Sequence, residues 1–184
     1  MKTLSKVLGL TFGYLCMGLT FLVCFEVFAR KALGTSVQGA DELGGYVLAI
    51  GSCLCFSVAL IGRNHMRIDI LHYRFPAKVQ ALLNWISTVM LTLFALLLAA
   101  TGFGVVTDTL GYQSTAPTPW ATPLIYPQSI WYAAIFMFAL VGVYLTGRAT
   151  WLLVTGRWEA LRVDFQPKAT KEELDEELED AAKR

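Results

Sequence analysis

The sequence predicts an all-α integral membrane protein, with four transmembrane helices, short interfacial helices and a polar C-terminal tail. Three observations lead there. The chain of 184 residues is 55% hydrophobic and 16% charged, whereas soluble domains carry roughly a quarter charged residues. Fourteen of the 29 charges follow residue 158, so the chain before that point is more apolar than the average suggests. Apolar runs of crossing length recur at about residues 7–29, 43–62, 79–107 and 128–147. A soluble domain of this size could not cover so much apolar surface.

The first run follows Lys2 and Lys6 and stays uncharged over Val7–Phe25. It is too long for a signal-peptide core, and no clear small-x-small cleavage site follows, so a retained first helix is expected. Gly9 and Gly13 give that helix a small-xxx-small pair that admits a close neighbour. Near its end, Glu26 and Arg30 are four residues apart and share a helix face. A carboxylate so near the membrane is expected to face protein or water, as an interfacial ion pair or as a contact that positions a partner.

After a short loop at 31–40, Asp41 and Glu42 open the second helix, where acids offset the positive end of the helix dipole. Gly45, Ala49, Cys53 and Ser57 recur every four positions along one face, a row suited to tight helix packing. The cysteines Cys16, Cys24, Cys53 and Cys55 all lie in apolar runs, so no disulfide scaffold is expected. A membrane disulfide oxidoreductase would need cysteines in aqueous loops.

The middle connection gathers most of the polar chemistry outside the tail. It begins Arg63-Asn64-His65-Met66-Arg67-Ile68-Asp69 and continues with apolar and basic residues to Pro76, as suits an element lying in the membrane interface. The third run, 79–107, is longer than the roughly 20 residues that cross a bilayer, so it is expected to tilt, with Gly102 and Gly104 loosening its far end. Residues 108–127 read as a loop, because four prolines fall within eleven residues. Trp120 and Tyr126 suit a loop resting on headgroups. The fourth helix, from about 128 to 147, grades into an interfacial segment rich in Trp and Arg. A membrane domain over 1–163 and a polar tail over 164–184 are therefore expected. Thr170 and Glu173 have capping-box spacing within that tail.

Basic residues set the orientation. With four spans, thirteen Lys/Arg fall on one side and two on the other, and the proline-rich loop has none. Both termini and the middle connection are thus expected in the cytoplasm.

Enzymatic chemistry finds little support. The histidines, His65 and His72, share one connection beside the membrane, and the sequence has no nucleophile elbow, phosphate loop or zinc-type spacing. No cofactor or metal is expected, and the net charge of +1 gives no case for nucleic acid. A haem- or quinone-binding four-helix anchor of a redox complex remains the alternative, although neither histidine lies within an expected span. A complete secondary transporter usually has repeated halves meeting at mid-membrane, which four spans do not supply. A subunit of a larger assembly fits better.

Four stretches carry a family resemblance when taken in order: Phe25-Glu26-Val27-Phe28-Ala29-Arg30, then Asp41-Glu42-Leu43, then Arg63–Asp69, then the apolar-basic stretch to Pro76. Together they resemble the small membrane subunit, DctQ-like, of tripartite ATP-independent periplasmic (TRAP) transporters, over about residues 5–160. Two features depart from that pattern. Gly39-Ala40 stand where an aromatic residue often precedes the acid, and the acidic tail lies outside the match.

The resemblance implies a non-enzymatic scaffold in the bacterial inner membrane. It would pair with a large TRAP permease that holds the substrate and sodium sites, with membrane lipids around it. A periplasmic substrate-binding protein would deliver an organic acid for ion-gradient-driven symport. Glu26, Arg30, Asp41, Glu42, Arg63, His65, Arg67 and Asp69 become the partner and structural candidates. No substrate site is expected in this subunit.

Overall fold

The computed structural model describes residues 2–35, 39–62 and 75–165. Within these, helix α1 spans Lys2–Phe28 and passes into a π-helical turn, Ala29–Leu33. Gly34 ends that turn at φ +65°, a left-handed cap that glycine adopts without steric cost. Helix α2 is Ala40–Gly62, α3 is Ala77–Tyr112, α4 is Ile125–Val154 and α5 is Trp158–Phe165. No strand forms among the described residues, where the extended pairing is a single bridge, Thr115 with Pro123. Four of the helices are long and apolar enough to cross a membrane.

Local sequence sets these ends. Pro76 sits just before α3 with φ −62°, pre-set for helix entry, and its carbonyl accepts from Val79 N and Gln80 N. α3 continues past the expected end at 107, through Asp108 to Tyr112, so Gly102 and Gly104 do not loosen it. At 1.5 Å per residue it is about 54 Å long, well over the ~30 Å hydrocarbon layer. Pro127 lies inside α4, not before it, in the first turn where a missing N–H costs nothing. α4 also outruns its expected end, stopping in a Schellman turn. There Arg157 N donates to Leu152 O at 3.0 Å, Gly156 N donates to Leu153 O at 3.1 Å, and Gly156 has φ +70°. α5 carries the chain across the expected start of the tail at 164.

The four long helices do not close around a centre. α1 packs on α2, α2 on α4, and α4 on α3, an open row in the order α1, α2, α4, α3. Lipid tails are as apolar as the side chains, so close approach and hydrogen bonds must hold this row together. Between α3 and α4 the buried residues Ala81, Thr88, Ala95, Gly102 and Thr109 recur every seven positions, with Thr92 and Ala99 between them. That is a heptad seam built from small and hydroxyl residues. Thr92 and Thr146 hydroxyls share a hydrogen bond of 2.7 Å across it, Trp85 Nε1 donates to Thr150 at 3.0 Å, and Thr109 donates to Gln128 Oε1 at 2.6 Å.

On the other side of α4, Cys53 and Leu60 of α2 meet Phe138 and its neighbours, with the Phe56 and Phe138 rings 5.7 Å apart. α1 approaches α2 closely where Phe12 lies over Gly51. At the far end, α5 folds back on α3 and α4. It buries Leu161 and Phe165 against Ala81, Ala149 and Leu152, and Arg148 pairs with Asp164 at 2.5 Å.

Candidate functional site

Polar side chains collect where α1 ends, α2 begins and the α3–α4 connection crosses over. Glu42 is the third residue of α2 and only 7% exposed. A glutamate there commonly reaches back to its own helix start. Here one carboxylate oxygen instead accepts from Tyr46 Oη at 2.8 Å, and the other accepts from Thr118 Oγ1 in the proline-rich connection. Thr122 adds a third hydroxyl beside the carboxylate.

The connection itself, residues 113–124, is a compact strap. Ala116 N donates to Thr122 O at 2.9 Å and Leu124 N to Ser114 O at 3.0 Å, and Ala116 is buried. Trp120 of this strap lies against Gly39, just before α2. A β-carbon at position 39 would stand 2.5 Å from Trp120 Cδ2, and Gly39 has φ +102°. An aromatic ring carried by the strap thus stands beside the residue two before Asp41.

Glu26 and Arg30 do pair. Arg30 Nη2 lies 2.6 Å and Nε 3.2 Å from Glu26 Oε1. The partners differ in setting, since Glu26 is 4% exposed while Arg30 is exposed. Asp41, exposed at the start of α2, adds an electrostatic attraction to Arg30. Glu26 and Glu42 are the buried acids among the described residues, both at this loop end of the row.

The expected small-residue faces divide. Cys53 and Ser57 are buried, but Gly45 and Ala49 on the same row are exposed. Around Ala49 the second and fourth helices part, leaving a laterally open cleft of about 240 Å³ lined by Tyr46, Ile50, Val105 and Trp131. Nothing in the described chain comes within 4 Å of where a β-carbon would stand at Gly9 or Gly13. On α2 it is Gly51, under Phe12, and more loosely Gly44, beside Leu19, that take a neighbour from α1, and the four-residue spacing selects neither. Arg63, His65, Arg67 and Asp69 lie outside the described residues. Among the described residues no group of three His, Cys, Asp or Glu could hold a metal ion.

A row of four apolar helices, with its buried acids confined to one end, defines a multi-pass membrane protein. Comparison with family profiles gives the particular kind. Residues 19–150 match the DctQ component of the tripartite ATP-independent periplasmic transporters. The match runs from within α1 into the last turns of α4, and the chain belongs to this family as the small subunit of a TRAP transporter. A comparison with curated proteins finds no match.

Several of these site residues escaped sequence reasoning. Thr118 carries no signal beyond a proline-rich loop, and Trp120 reads as a headgroup anchor, whereas its ring lies against Gly39. The α3–α4 seam did carry one, the seven-residue recurrence of Thr, Ala and Gly within an uncharged run.

Proposed function

We propose that this chain is a non-enzymatic scaffold subunit. It pairs with a large TRAP permease for ion-gradient-driven uptake, with sodium as the coupling ion, of an organic acid delivered by a periplasmic binding protein. The reading rests on family membership, and one structural observation carries the scaffold role. The spans stand in an open row, so among the described residues α1 packs on α2 and has no substantial contact with α3 or α4, and broad apolar faces remain for another membrane component. The family match favours this reading over a haem or quinone anchor.

On this reading the protein sits in the bacterial inner membrane, with both termini and the Arg63–Asp69 motif cytoplasmic. Residues 1–163 are then essentially the membrane domain, followed by a polar cytoplasmic tail. Arg63 and Arg67 act as inside anchors, and His65 and Asp69 as hydrogen-bonding partners that fix the following segment. The strap then faces the periplasm, on the side from which a binding protein approaches. Arg30 and Asp41, both exposed, are the partner-facing candidates at that end, and the buried Glu26 holds Arg30 in place.

Co-expression with the permease provides the test. The two chains are expected to co-purify, and the isolated small subunit is expected to bind no substrate. Specific substrate binding by the isolated chain would overturn the scaffold reading.

A further inference from the structure

The row consists of two helical hairpins, α1–α2 and α3–α4. They meet through α2 and α4, and the contact is uneven along its length. Toward the α5 end it is tight, with Cys53, Ser57 and Leu60 buried and Phe56 beside Phe138. Toward the loop end it parts, and the cleft of about 240 Å³ opens between Ala49 and Trp131. Beyond that cleft the hairpins join again through side chains of the strap. Thr118 donates to Glu42 across 76 residues of sequence, and Trp120 rests on Gly39.

We propose that Glu42 is a positioning residue, a latch that holds the α3–α4 strap on the start of α2 and thereby sets the spacing of the two hairpins across the cleft. Three features make it a latch and not a surface charge. The carboxylate is buried, so it needs hydroxyl donors to replace lost water. Those donors come from both hairpins, Tyr46 from one and Thr118 from the other. Gly39 alone lets the Trp120 ring approach, because any β-carbon there would strike it. Asp41, one residue earlier, is exposed and takes no part. The adjacent acids of the family-like motif therefore divide their work: Glu42 faces inward as a fastener and Asp41 outward. The inference does not depend on the transporter reading, because it concerns contacts within this chain.

Hydrogen–deuterium exchange of the full chain in lipid nanodiscs tests it. Glu42→Ala and Thr118→Val are expected to speed exchange at least tenfold at the strap amides of Ala116 and Leu124, while α2, α3 and α4 stay protected at mid-span. Glu42→Gln, which keeps one acceptor oxygen, is expected to restore part of the protection lost in Glu42→Ala. Asp41→Asn is expected to leave the strap unchanged. Unchanged strap exchange in both Glu42→Ala and Thr118→Val overturns the proposal, as does equal loosening by Asp41→Asn. If Glu42→Ala loses protection throughout the chain, Thr118→Val decides by the same criterion.

Discussion

The ring of Phe12 in α1 lies across Gly51 in α2, so closely that a β-carbon at 51 would stand 2.2 Å from Phe12 Cε2. This contact helps tie the outermost helix to the rest of the row, since α1 has no substantial contact with α3 or α4 among the described residues. Replacing Gly51 by Ala is expected to displace the ring and destabilise the chain by ~1–3 kcal/mol, the usual cost of overpacking. Phe12→Ala in the Gly51→Ala background should recover part of the loss. Thermal unfolding in detergent of the two single variants and the double variant measures this coupling.

The hydroxyl pair Thr92 and Thr146 joins α3 to α4, and Thr92 also donates to Thr88 O at 2.9 Å. Interhelical hydrogen bonds in membranes contribute only about 0.6 kcal/mol on average. A double-mutant cycle with Thr92→Val and Thr146→Val is expected to return a coupling near that size. Gly142→Leu should do far more harm, because the β-carbon position at 142 is already 3.0 Å from Thr92 Oγ1. A coupling of several kcal/mol between the threonines would show that the seam is held by its hydroxyls and not by close approach.

Glu26 and Arg30 make an unequal pair, a buried carboxylate with an exposed guanidinium. Removing the cation leaves a buried charge with less compensation, whereas neutralising the acid removes that charge. Arg30→Gln is therefore expected to lower the melting temperature more than Glu26→Gln does, and the double variant should melt above Arg30→Gln. The reverse order would mean that the acid has a direct role in holding the fold.

Leu161 in α5 is fully buried against Ala81, Ala149 and Leu152. Leu161→Ala is expected to weaken docking of α5 by ~2–5 kcal/mol. Trypsin cleavage after Arg157, followed by mass spectrometry, should then quicken more than about tenfold, as cleavage tracks the open population. Melting of the four spans should barely change.

How much of this was legible in the sequence depended on whether a signal was local. Hydropathy alone located all four spans, because a bilayer demands a long apolar run wherever the chain crosses. The pairing of Glu26 with Arg30 is legible, since i, i+4 geometry belongs to one helix. Asp108 reads as loop in the sequence, because a charge followed by four prolines masks a helix that ends at Tyr112. Gly9 and Gly13 read as a packing face while Gly51 did not, because spacing says that a helix admits a neighbour but not which helix stands beside it. The distant partner of Glu42 is out of reach for the same reason, although Tyr46, four residues on, is a local one. The hydroxyl donor at Thr118 is brought there by the order of the helices in the row, which no local pattern encodes.

On the proposed function, this small subunit supports transport by assembling with a permease and not by handling cargo. The most direct measurement is uptake into vesicles driven by an imposed sodium gradient, with and without this chain beside the permease and binding protein. Gradient-dependent uptake is expected to need this chain, and to fall in step with complex yield when Asp69 or Arg63 is replaced by Ala. Full uptake by the permease and binding protein without this chain would contradict it.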